Sequence, residues 1–210
     1  MSTLTTRGDD RDVQLASAVE FVRWHPISHP VDHGSACCTT ARQWLSAVHA
    51  GAGATTPLSG LGWIADMYPW GPTQWPVSWC KLVEQDKLDC GAQSAVAREV
   101  LRASGSALLG VQLLIRASAT DIGHWGSTWR DGGVAPTWLF EQLYYHEAVG
   151  LVDGSLVVFD PTRNWKVPPD GRTEDGSVAA IRVTGGTGDA ATVTWGRHEL
   201  LVGEWVLLAG

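Results

Sequence analysis

A cysteine that opens "LDCGAQSAVAREVLRASG" (residues 88–105) is the first residue whose placement suggests chemistry. Cys90 stands where a helical pattern begins. Unpaired N–H groups and the positive end of the macrodipole at a helix N-terminus favour a thiolate. A histidine beside such a thiolate pairs with it and later protonates a leaving group. A third group, a carboxylate or an amide, orients the imidazole. Residues 144–165, "YYHEAVGLVDGSLVVFDPTRNW", offer both partners in His146 and Asp160.

Whether that histidine and aspartate meet depends on strand register. Two apolar runs flank Asp153-Gly154, a hairpin signal. A two-residue Asp153-Gly154 turn pairs Val152 with Ser155 and sends His146 and Asp160 to opposite faces. A three-residue loop, 152–154, pairs Leu151 with Ser155 and makes His146 and Asp160 direct cross-strand neighbours, with Cβ atoms about 4.5–5.5 Å apart. Gly154 supplies the left-handed residue such a loop wants. The expectation is this loop, or a bulge with the same effect.

The elements around these residues follow from periodicity. The helix after Cys90 carries Ala92, Ala95, Val96, Val100 and Ala103 on one stripe, with Arg98, Glu99 and Arg102 off it and Gly105 at its close. Asp89 is placed to cap its start. Upstream, "VQLASAVEFVRW" leans towards helix. "CCTTARQWLSAVHA" is expected as a helix capped by Thr39 or Thr40. Residues 61–80, with four tryptophans and three prolines, fit neither regular pattern. Downstream, strands are expected at "ALLGVQLLIRA", "WLFEQLYYHEAVGLV", "SLVVFDP", "VAAIRVT", "ATVTW" and "LLVGEWVLLA". A loop at 117–136 carries His124, Trp125 and Trp129. Helices followed by an antiparallel sheet make an α+β plan.

At 210 residues the chain can bury a core without staples. Its formal charge of −7 disfavours nucleic acid or an anionic membrane as partner. No apolar run reaches the roughly 18–20 residues that span a bilayer. The polar N-terminus lacks the apolar core of a secretory signal, so a cytoplasmic location is expected. Cys37, Cys38, Cys80 and Cys90 match no zinc spacing, and free thiols are the default without export. His25, His29 and His33 sit four apart, but Pro26 and Pro30 forbid a regular helix there, so a solvated loop is expected rather than a metal site.

A helix opening at cysteine, a strand with histidine, and a strand ending "FDPT" after an Asp-Gly hairpin together resemble the transglutaminase-like core of the papain-like superfamily. The likeness covers roughly residues 80–210. It implies Cys90 as nucleophile, His146 as general base and acid, Asp160 as orienting carboxylate, and an acyl-thioester released by water or by an amine. The family's common "HAW" is here "HEA", with Glu147 and Ala148.

The domain plan expected is a flexible tail at 1–12 and one catalytic domain at 13–210, with a Trp-rich N-terminal part at 13–80. The oxyanion of such a reaction needs N–H donors. The Cys90 backbone N–H is one, and Gln74, Trp79 or Gln85 is a candidate for the second. Trp70, Trp75, Trp125 and Trp129 are candidates to wall a substrate groove, or to cover the core beneath a long loop. Cys38, ahead of its own helix and near His33, is the rival nucleophile, while Cys80 is expected to pack. His49, His124 and His198 are expected to be structural or exposed.

The expected activity is amide hydrolysis or acyl transfer on a peptide or acyl-amine small molecule, with an amine as the acceptor in the transfer case. This chemistry needs no metal and no cofactor, and biosynthetic acyl transfer suits it as well as proteolysis. The competing expectation is a catalytically idle module that holds a peptide in its aromatic groove.

Overall fold

The computed structural model describes residues 7–51, 61–103, 107–117, 138–140, 143–173, 176–185 and 191–208. Apolar residues three and four apart give the first helix, α1 (Arg7–Val22), a face of Leu15, Ala18 and Val22. It begins inside the stretch expected as a tail, because the polar residues ahead of Leu15 continue the helix without any apolar signature. Helix α2 (Ala36–Gly51) starts three residues before Thr39. Its first turn is capped by Ser35, whose hydroxyl accepts from the Cys38 N–H at 3.2 Å. The Thr39 and Thr40 hydroxyls instead donate back to the Ser35 and Ala36 carbonyls.

Residues 61–80, expected to be irregular, contain the short helix α3 (Gly62–Met67) and the start of α4 (Trp79–Leu82). Ser78 caps α4 by accepting from the Lys81 N–H. Helix α5 (Cys90–Ala103) buries Ala92, Ala95, Val96 and Val100 as its stripe requires.

The strands are β1 (Ala107–Ala117), β2 (Trp138–Phe140), β3 (Leu143–Asp153), β4 (Ser155–Asp160), β5 (Trp165–Val167), β6 (Arg172–Thr173), β7 (Gly176–Thr184), β8 (Thr192–Trp195), β9 (His198–Leu201) and β10 (Trp205–Leu207). The run expected as one strand at 138–152 is two, β2 and β3. The run at 200–209 is also broken, because Gly203 turns at φ 96° and sends β9 and β10 into different sheets. All strand pairings are antiparallel among the described elements. The main sheet runs β10-β7-β1-β3-β4-β5, with β2 added to β3 and β6 to β7, while β8 and β9 form a separate hairpin.

Strand alternation sorts the core into layers. Leu109, Val111, Leu113 and Ile115 of β1 pack with Trp195 and Leu200 of the β8–β9 hairpin. Leu114, Leu143, Tyr145 and Ala180 meet α1. Helices α2 to α5 share a cluster that takes Val149 and Phe159 from the sheet. The chain is thus a mixed helical and antiparallel β fold, with the start of α5 brought against β3.

Candidate functional site

Cys90 is held at the head of α5 by Asp89. The Asp89 carboxylate accepts from the Ala92 N–H at 2.8 Å and from the Trp75 indole N–H at 2.8 Å. The Asp89 N–H donates to Thr73 Oγ1 at 3.0 Å. Burial raises the Asp89 pKa against these bonds. Trp75 therefore has its indole committed to the cap, and it packs on the helical core. Gly91 follows because nothing larger fits. A Cβ there would meet Ser28 Oγ at 2.4 Å and Ser28 Cβ at 2.7 Å. Cys90 itself is partly exposed and free.

The hairpin between His146 and Asp160 differs from the expected register. Val152 lies opposite Leu156 and Asp153 opposite Ser155, with Gly154 alone at the tip at φ 68°. Continuing that ladder puts Asp160 opposite Ala148, two residues from His146. The pair are diagonal rather than direct neighbours. A shift of two keeps the parity of the faces, so the side chains still meet, with His146 Nε2 3.0 Å from Asp160 Oδ2. The ring N–H is off the line to that oxygen, so the attraction is charge pairing first and hydrogen bonding second.

The other group acting on the imidazole is the Cys90 thiol, near enough for its charge to bear on the ring. With Nε2 turned to Asp160, Nδ1 is the nitrogen left for sulfur. Burial alone would push the His146 pKa down. The negative charge of Asp160, and that of a Cys90 thiolate, outweigh it and hold the value well above the ordinary 6.5. Burial likewise opposes ionisation of Asp160, but His146 prevails and keeps that carboxyl below its ordinary value.

Two arrangements not anticipated from sequence support these residues. Thr162 donates its N–H to Asp160 Oδ1 at 2.9 Å and its hydroxyl to Gln93 Oε1 at 2.6 Å. Gln93 has no exposed surface, and its amide donates to the Tyr68 carbonyl at 2.6 Å. Asp160 is thereby tied to the first turn of α5. The signals were a glutamine on the apolar side of the helix and the threonine of "FDPT".

The second arrangement surrounds Glu147, buried beside His146. Glu147 accepts from the Ser28 N–H at 3.1 Å, the Ser28 hydroxyl at 2.9 Å and the Tyr145 hydroxyl at 2.9 Å. Arg98 donates to the Ser28 carbonyl at 2.6 Å, and Gln112 to the His25 carbonyl at 3.0 Å and to Tyr145. Arg182 reaches the His25 carbonyl and Gln112 Oε1. Burial raises the Glu147 pKa despite these donors. The segment around residues 25–31 is a loop with His25, His29 and His33 exposed, as expected, but its backbone is docked as a strap. His25 meets Tyr145 edge-on at 4.9 Å and His29 meets Trp79 at 6.3 Å.

Trp79, a candidate oxyanion donor, is buried at the core and flanked by His29 and Arg42. Gln74 and Gln85 line a surface groove of about 700 Å³ with His33, Lys81 and Glu84, whose walls do not include Cys90, His146 or Asp160. Trp70 is half-buried where its backbone bridges to Leu88. Trp125, Trp129 and His124 lie outside the described residues, as does Gly105. His198 pairs with Trp195 across the β8–β9 hairpin. Cys37 and Cys80 are disulfide-bonded rather than free, because α2 and α4 pack side by side and bring them together. Among the described residues no group of three or more His, Cys, Asp or Glu is placed to hold a metal ion. No helix of the described residues is long and apolar enough to cross a membrane.

No protein-family model matches the chain, and no curated protein matches it significantly.

Proposed function

We propose that the chain is a cysteine-dependent amide hydrolase or acyltransferase of transglutaminase-like type, acting through an acyl-thioester on Cys90. The observation that carries this reading is one imidazole between a partly exposed thiol at a helix start and a buried carboxylate 3.0 Å away. In the first half-reaction the Cys90 thiolate attacks the carbonyl carbon of a peptide or acyl-amine. The tetrahedral oxyanion takes the N–H of Cys90 as one donor. The His146 imidazolium gives its proton to the departing amine, and the amine leaves as the thioester forms. In the second half-reaction neutral His146 takes a proton from water or an acceptor amine, which attacks the thioester and returns the thiol. Asp160 steadies the imidazolium in both.

No metal or cofactor takes part in these steps, and the acidic net charge favours a peptide or small acyl-amide over nucleic acid as partner. A cytoplasmic setting suits the free Cys90, while the Cys37–Cys80 disulfide suits an oxidising one. The test is trapping by intact mass. Wild type incubated with activated acyl donors and peptide amides should gain one acyl group on Cys90, released by hydroxylamine. Failure of every donor to label Cys90, or equal labelling of Cys90→Ala, overturns the reading.

A further inference from the structure

Away from Cys90, three sulfurs gather where α2 meets α4. Cys37 and Cys80 are joined across 43 residues, and Cys38 Sγ lies 3.5 Å from Cys80 Sγ. Cys37 is exposed while Cys38 has no exposed surface. Two successive residues at the head of one helix therefore compete for a single partner on another. The Ser35 hydroxyl, then the backbone at His33, hold the Cys38 pKa below a thiol's ordinary value, with burial and then Asp32 opposing them.

We propose that Cys37, Cys38 and Cys80 form a thiol–disulfide exchange centre in which Cys38 replaces Cys37 as the partner of Cys80. Cys38 gives up its proton, and its thiolate attacks Cys80 Sγ. A Cys38–Cys80 bond forms, the Cys37–Cys80 bond breaks, and the electron pair stays on Cys37, which takes up a proton. One disulfide and one thiol are present before and after, so no oxidant or reductant is consumed. The result is a change of address. A thiol hidden in the core at Cys38 becomes a thiol open to solvent at Cys37, available to alkylating agents and small-molecule disulfides. Either pairing keeps α2 tied to α4, so the exchange needs no unfolding of that contact.

The test uses the whole chain, never reduced, tagged over time with N-ethylmaleimide under native conditions. Trypsin leaves Cys37 and Cys38 together on residues 24–42 and Cys90 apart on residues 88–98, so Cys90 does not interfere. Fragment ions then place the tag and the linked partner of Cys80. The expected result is a tag on Cys37 that grows severalfold through the time course, with Cys38 linked to Cys80 in the tagged molecules. Cys37→Ser should close Cys38–Cys80, and Cys38→Ser should keep Cys37–Cys80 and lose the tag. A tag confined to Cys38, no tag on either residue, or three tagged cysteines overturns the proposal, and the wild-type time course decides it even where a variant folds poorly.

Discussion

His146 and Asp160 meet as diagonal neighbours across a two-stranded ladder, 3.0 Å apart, while Cys90 approaches the same imidazole from a helix. The carboxylate raises the imidazole pKa and the imidazolium lowers that of the carboxylate. Each charge makes the other possible in a buried place.

Loss of the nucleophile should be absolute in effect. Cys90→Ala is expected to abolish acyl-enzyme formation and to cut turnover by about a millionfold, the scale seen when a unit of cooperating residues loses its nucleophile. Its fold should be unchanged, because the side chain is small and partly exposed. Acylation mass spectrometry with circular dichroism checks both halves.

Asp160→Asn should cost about a hundredfold to ten-thousandfold in turnover, the range of positioned acid–base catalysis. Without the carboxylate, burial dominates and the His146 pKa falls, so the alkaline limb of the activity profile should move to lower pH. An unmoved limb would separate His146 from catalysis.

The same pair sets a stability window. His146 has a raised pKa, so its contribution is full below about 6.5 and is lost as pH rises through the folded-state value. Asp160 has a lowered pKa, so its contribution is present above about 3.8 and is lost as pH falls through the folded-state value. The stability deficit of Asp160→Asn against wild type should be greatest between those two values and shrink on either side. Denaturant melts across the pH range measure it.

Gly91→Ala sets two effects against each other. Alanine over glycine gains about 1 kcal/mol in a helix interior, less in a first turn. The new methyl would sit 2.4 Å from Ser28 Oγ, and such overpacking costs about 1–3 kcal/mol. The clash should win, lowering the melting temperature by roughly 2–4 °C per kcal/mol for a chain of this size. Ser28→Gly on the same background should recover much of the loss; independent effects would leave no recovery.

Thr162→Val keeps the shape of the side chain and removes the donor to Gln93. An orphaned buried amide oxygen costs about 1–3 kcal/mol, so a lower melting temperature is expected and Thr162→Ser should restore it.

The strands were legible where alternation was strong, as in β1, whose bounds fall where the apolar run does. Hairpin parity was expected correctly, because a loop ending on a left-handed Gly154 keeps His146 and Asp160 on one face. The exact register was not, because one glycine at the tip and three residues in a loop leave the same local pattern. What escaped altogether was long-range and polar. Ser28 and Glu147 are 119 positions apart, and no local feature of either announces the other. The Cys37–Cys80 link was hidden for the same reason, since it depends on how α2 and α4 pack. Short strands such as β5 and β6, with three and two residues, are too brief for any period to show.

The strap around residues 25–31 is gripped mostly by its main chain. Glu147 takes the Ser28 N–H, Arg98 the Ser28 carbonyl, and Gln112 and Arg182 the His25 carbonyl. A grip on peptide groups is blind to the side chains it carries, except where the Ser28 hydroxyl reaches Glu147 and Ser28 faces Gly91, where Ile27 lies against Gly110, and where His25 and His29 touch aromatic rings. Mutational tolerance should therefore be lopsided. A saturation scan should find the exposed Val31 open to many replacements, while Glu147, Arg98 and Gln112 accept almost none; equal tolerance on both sides would mean that the strap holds by side-chain packing instead.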